Sequence, residues 1–319
     1  STSFETSNLV NTYISIRILS VPAEFIIYIL IGFYLGIQKT TISSLLIITL
    51  SILNIIFSSL FVLTLDLNVF GVALGSFIAS YLTAIIFSFF TYNFIVKKFQ
   101  IIPTIQKIIA PTKFFRLITI NFNLFLRTLV LTFSFLWISY MGAKLGEDFL
   151  AVNTILMQFI ILSAFLLDAY AYTTEGIVGY SLGKKNKKSF FLAVKNSIEL
   201  SFISALIISI LYLIFFKEII NIITDIEILR YISYKHAIWI MIIPIVGSFC
   251  YQLDGIFIGA SQTSDMRNAT IFASVSFIVL SIYFTKYFHN HGLWLSLLLF
   301  MLLRSLSLTF LIDKITKKL

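Results

Sequence analysis

The chain has 319 residues, 59% of them apolar and 12% charged, and a net charge of +9; its mean hydropathy is +1.00. A water-soluble domain covers its surface with roughly a quarter of charged residues, so that class is excluded. Disorder, collagen-like repeats and, with Cys250 the sole cysteine, a disulfide framework are excluded too. Lipid must be the main solvent and the bilayer the chief partner. No nucleic-acid partner is expected, because the basic residues lie in short gaps between apolar runs instead of on one solvated face.

A helix crosses hydrocarbon with about 20 mostly apolar residues. Nine stretches qualify: 13–37, 41–65, 70–96, 117–141, 149–181, 190–216, 236–260, 269–288 and 292–312. They are solid apolar blocks without the alternation of a membrane β-barrel. The predicted fold class is therefore all-α, a polytopic membrane protein of about nine transmembrane helices.

Ionisable groups at bilayer depth are costly and mark function by default, so each is weighed in chain order. The first stretch holds Pro22 and, seven residues apart on one face, Arg17 and Glu24; Glu24 could attract a cationic substrate or merely satisfy Arg17. The second and third stretches carry no charge. The basic, Pro-containing segment 97–116 reads as a linker helix lying on the membrane surface, between an N-terminal part (1–96) and a C-terminal part (117–319). The fourth stretch contains Arg127, a buried cation that suggests a fixed counter-ion and is expected to pair with Asp168 or Glu175. In the fifth, Asp168 and Glu175 lie two turns apart on one stripe with Tyr172 and Gly179. Two carboxylates so placed in low dielectric suit reversible protonation, although Glu175 could simply be solvated near a helix end. Lys184, Lys185, Lys187 and Lys188 follow, readable as an anionic-lipid patch or a topology signal. Glu199 stands four after Lys195 and reads as a surface pair.

The seventh stretch carries Pro244, Tyr251, Asp254 and the Gly255/Gly259 step. A proline-freed carbonyl and glycines that admit close backbone approach would let a cation meet Asp254, the leading site residue, with Tyr251 a hydroxyl ligand or a packed aromatic. In the ninth, Arg304 serves as counter-ion, pairs structurally or snorkels. His236, His289 and His291 fall at span ends and read as solvated loop residues, so no metal site is expected. No phosphate-binding loop or hydrolase motif occurs, so neither ATP-driven transport nor enzymatic activity is expected.

Alternate loops divide the basic residues fifteen to six, with two inside spans. The richer side, which includes the C-terminus, is predicted to be cytoplasmic. The landmarks Pro22, Gly36 and Gly71 recur as Pro244, Gly259 and Gly292 at separations of 221 to 223 residues, an internal repeat that pairs spans one to three with seven to nine. Spans four to six then lack an upstream counterpart. Roughly a hundred residues bearing three more helices are expected ahead of Ser1, giving twelve helices in two bundles.

The segments GEDFLAVNTILMQF (146–159), LLDAYAYTTEGIVGYSLG (166–183), YQLDGIFIGASQTSDMRNA (251–269) and NHGLWLSLLLFMLLRSLSL (290–308) resemble the multidrug and toxic compound extrusion (MATE) family, in its DinF-like branch. RILSVPAEFIIYILIGFYLGIQ (17–38) and LNIIFSSLFV (53–62) are similar to it as well. The resemblance aligns the chain with family spans four to twelve and implies a two-lobe exporter that couples drug efflux to inward H⁺ or Na⁺, with no other cofactor. It also implies acids at the positions of Asp168 and Glu175. Where the family has an Asn-x3-Asp pattern, this chain has Asn54 and Ser58, so coupling is expected through the C-terminal acids, with H⁺ preferred over Na⁺. The expected substrates are amphipathic organic cations in an aromatic-rich cavity that includes Glu24, Asn54, Tyr172 and Tyr251. A monomer in the plasma (inner) membrane, working by alternating access, is expected. The alternatives are a lipid or lipid-linked oligosaccharide flippase, for which Arg17, Arg127 and Arg304 would hold a phosphate head group, and a non-transporting remnant.

Overall fold

The computed structural model describes residues 4–99 and 111–317. Among them every regular element is helical: α1 (Phe4–Gly36), α2 (Thr40–Ser59, continued by a π-helical turn, Leu60–Thr64), α3 (Asn68–Phe99), α4 (Pro111–Leu145), α5 (Glu147–Gly183), α6 (Lys187–Ile223), α7 (Glu227–Gly259) and α8 (Thr263–Thr316). All eight runs are long and apolar enough to span a bilayer. Most outrun the expected stretches, because hydropathy marks only the hydrocarbon portion while the hydrogen-bond ladder continues into polar turns. At the start of α1, for example, Thr12 and Ser15 donate to the carbonyls of Asn8 and Asn11 at 2.9 and 2.7 Å. The expected linker at 97–116 lies largely outside the described residues.

The eighth and ninth stretches form one run of 54 residues, about 80 Å if straight and far too long for a hydrocarbon core of about 30 Å. It is broken at His289, whose φ of 49° is left-handed, into α8a (263–288) and α8b (290–316). A methyl group on Gly292 would overlap the carbonyl of Phe284. In a straight helix residues eight apart are separated by about 12 Å, so the chain doubles back on itself here, and only glycine permits the approach.

Two of the glycine landmarks end their helices with the same hydrogen bonds. After Gly36, the amides of Ile37, Gln38 and Lys39 reach the carbonyls of Phe33, Leu35 and Tyr34; after Gly259, those of Ala260, Ser261 and Gln262 reach Ile256, Ile258 and Phe257. Both are Schellman caps with a left-handed residue two positions past the glycine, Gln38 (φ 59°) and Ser261 (φ 55°). A third such cap follows Gly183, with Lys185 at φ 52°. Here Asn186 goes on to cap α6, accepting from the Ser189 amide at 2.9 Å.

The chain divides into two compact units, Ser1–Ile109 and Ala110–Leu319. In the first, α1, α2 and α3 pack around Ala23, Ile27, Leu46 and Phe87. In the second, tight connections make successive helices antiparallel. One apolar core surrounds Leu156, Phe277, Trp294 and Phe300; the other, toward the opposite helix ends, surrounds Phe190, Phe257, Met266 and Leu308. On α7 and α8b the handover between these cores falls at Asp254 and Arg304.

Candidate functional site

Asp254 is the most deeply placed acid of the second unit, 5% exposed within a run of α7 (252–257) whose residues are all buried. A carboxylate at that depth needs compensation. It comes from both ends of the unit: Arg127 of α4 and Arg304 of α8b each donate through Nη2 to the same oxygen, Oδ2. The Arg304 guanidinium also lies over the Phe300 ring, 5.5 Å from its centroid. Arg127 therefore pairs with Asp254, not with Asp168 or Glu175 as expected. Arg304 is a buried partner of the same acid, and snorkelling is ruled out by its 4% exposure. The spacing that put Arg127 one helix before α5 could not reveal which acid its long side chain would meet.

Beside this triad opens a cavity of about 320 Å³, lined by Arg127, Asp168, Tyr172, Glu175, Tyr251, Asp254 and Arg304 among aromatic and aliphatic side chains such as Phe135, Phe165 and Met301. Asp168 and Glu175 project from α5 on the shared stripe, both partly buried, and neither has a hydrogen bond or ion pair among the described residues. Two guanidiniums face three carboxylates, leaving one net negative charge when all are ionised. The Tyr251 ring packs close to Gly247, whereas Tyr172 is largely exposed at the cavity edge.

The α5 wall is set against α7 at very short range. A Cβ at Gly255 would come 2.5 Å from the Ala171 carbonyl oxygen, and one at Gly259 would overlap the Glu175 backbone. The glycine step thus brings Asp254 and the α5 acids to one depth. A neighbouring buried network escaped the sequence reading: Gln252 Oε1 accepts from Thr174 Oγ1 at 2.8 Å and from Ser197 Oγ at 2.6 Å, joining α5, α6 and α7. Its only signal was polar residues inside apolar stretches.

Other expected residues lie elsewhere. Glu24 pairs with Arg17 at 2.8 Å and accepts from Ser20 at 2.9 Å, and Asn54 donates to Ser76 at 2.8 Å; both belong to the first unit. Glu199 meets Lys195 at 3.8 Å on the surface, as expected. His236 is a correction: it is 3% exposed and its ring stacks on His291 with centroids 4.1 Å apart, because α7 extends well before the apolar stretch and buries its early turns. No group of three His, Cys, Asp or Glu suited to a metal occurs among the described residues.

Arg267 of the Met-Arg-Asn element donates to Asn123 Oδ1 at 2.5 Å, tying α8a to α4. The resembling segments thus hold helices together as well as lining the cavity.

The MatE family model matches residues 124–283. DNA damage-inducible protein F of Escherichia coli K12 is 35% identical over 296 residues, covering 93% of this chain and 64% of that protein. Protein DETOXIFICATION 43 of Arabidopsis thaliana is 23% identical, over 92% of this chain and 55% of its own length. The chain thus spans less than two thirds of these relatives. A crystal structure of MATE in a bent conformation superposes with a TM-score of 0.86 at 16% identity, over 100% of this chain and 71% of the other.

Proposed function

Starting from the fact that the chain belongs to the MatE family, we propose that it serves a secondary exporter of amphipathic organic cations in which inward protons are exchanged at the second unit. The observation that supports this most is the division of labour among the acids. Asp254 is held by two guanidiniums, while Asp168 and Glu175 face the same cavity without such partners. Protonating both would take the site from one net negative to one net positive charge. That reversal releases a bound cation, and deprotonation restores the affinity. Aromatic walls supply apolar contact and cation–π attraction for such a ligand. On this reading the cation-coupling residues are Asp168 and Glu175, with Asp254, Arg127 and Arg304 setting the field around them.

The excess of Lys and Arg in alternate loops supports a cytoplasmic C-terminus in a plasma-membrane protein. A phosphate-handling flippase is less well supported, since the arginines that would hold a head group are engaged, Arg127 and Arg304 by Asp254 and Arg17 by Glu24. The test is ethidium transport in proteoliposomes under an imposed pH gradient. Asp168→Asn and Glu175→Gln should remove the effect of the gradient while leaving dye binding measurable. Gradient-independent transport by the unaltered chain would overturn antiport, and transport driven by a sodium gradient at fixed pH would replace H⁺ by Na⁺.

A further inference from the structure

A second cavity, of about 290 Å³, opens on the outside of the second unit between α5 and α6. It runs along α6 from Ser189 to Leu200, about 16 Å, starting at the loop that joins the two helices. Ile177, Leu192 and Leu200 give it apolar walls. Its polar lining is unusual for a lipid-facing groove. Ser197 is satisfied by Gln252, Thr173 by the Ala169 carbonyl and Ser189 by Ser181. The exposed Asn196 amide has no partner among the described residues. Asn196 lies between Lys195 and Glu199, whose exposed, ion-paired side chains mark the polar border of the membrane, the depth of a lipid's glycerol-ester groups, which can accept from its amide.

The mouth of the groove is strongly positive. Lys184 and Lys185 stand in the loop and Lys187 and Lys188 in the first turn of α6, no acid occurs between Glu175 and Glu199, and none of the four makes an ion pair among the described residues. Lys184 lies over the Tyr180 ring, 4.4 Å from its centroid.

We propose that this groove is a site for one anionic glycerophospholipid of the adjoining leaflet. Its phosphate sits at the lysines, a glycerol-ester carbonyl accepts from Asn196 Nδ2, and an acyl chain lies along Ile177, Leu192 and Leu200. A loop that served membrane orientation alone would need neither the groove nor the amide. The site is independent of the cavity at Asp254 and of the exporter reading.

The test is native mass spectrometry of the delipidated full chain titrated with dioleoylphosphatidylglycerol or dioleoylphosphatidylcholine. One phosphatidylglycerol should bind about tenfold more tightly than phosphatidylcholine. Replacing the four lysines by Gln should erase that preference, a tenfold change being about what one or two nearby lysines supply. Ala193→Trp fills the groove at constant charge and should abolish the tight adduct; Asn196→Leu, at an exposed position where folding is not at stake, should weaken it about threefold to tenfold. Equal binding of the two lipids would overturn the proposal. So would unaltered phosphatidylglycerol binding by Asn196→Leu, whatever Ala193→Trp does to folding, since it would leave only diffuse attraction to the loop.

Discussion

The buried triad can be tested by a double-mutant cycle on Asp254 and Arg304. With Arg304→Met the carboxylate keeps Arg127 as its single partner, so the loss is smaller than the 3–5 kcal/mol typical of a fully broken buried pair, about 2–3 kcal/mol. Asp254→Asn leaves two guanidiniums converging on one amide with no counter-charge. At a separation of about 5 Å and an effective dielectric of about 20, their repulsion alone is about 3 kcal/mol, and the lost attraction raises the cost to about 4–5 kcal/mol. The double variant retains only Arg127, which has the cavity beside it to reach water, and should cost about 2–3 kcal/mol. The coupling energy is then at least about 3 kcal/mol. Unfolding of the four proteins in mixed dodecyl-maltoside and SDS micelles, followed by circular dichroism, measures it. Additivity within about 0.5 kcal/mol would refute the triad, because two side chains sharing one buried oxygen cannot act independently.

Three further outcomes follow from other contacts. Gly292→Ala places a methyl group in the Phe284 carbonyl and should destabilise the chain by about 3 kcal/mol, seen as a lower unfolding midpoint in the same micelles. Asn153→Leu removes reciprocal 2.8 and 2.9 Å bonds with Asn290 and a 2.9 Å bond from Trp294. It should cost about 3 kcal/mol, and more than Asn290→Leu, which leaves the Trp294 donor paired; thermal aggregation assays would rank them. Glycine at Gln38, Lys185 or Ser261 relieves a left-handed conformation at a Schellman cap and should raise stability by about 0.5–1 kcal/mol at each site.

The number and order of the spans were legible because lipid imposes long apolar runs, and His289-Asn-His291 marked the break between the last two. The depth of α1, α6 and α7 was not, since polar turns continue a helix without raising hydropathy. Asp168, Glu175 and Asp254 stood out as acids in apolar sequence, and the cavity does gather them. Choosing the partner of Arg127 required the rotation of α4 against α5 and α7, which periodicity leaves undetermined when three acids sit at similar depth. The Thr174–Ser197–Gln252 network was hidden for a simpler reason: neutral polar residues are ordinary in membrane helices, and only burial reveals that Thr174 and Ser197 share one acceptor on Gln252.

The seam between α5 and α7 sets how the cavity can change shape. Where Gly255 and Gly259 lie on the backbone of Ala171 and Glu175, backbone meets backbone; the ionic ties of α7 run to α4 and α8b, and the Thr174–Gln252 hydrogen bond is a tie that crosses this seam. Close packing of this kind resists separation but offers little obstacle to sliding. Axial travel of α5 by a fraction of a turn would carry Asp168 and Glu175 past a stationary Asp254, altering the charge each meets while the helices stay in contact. The glycine step is then a bearing surface, and bulk added there should slow the motion before it weakens the fold.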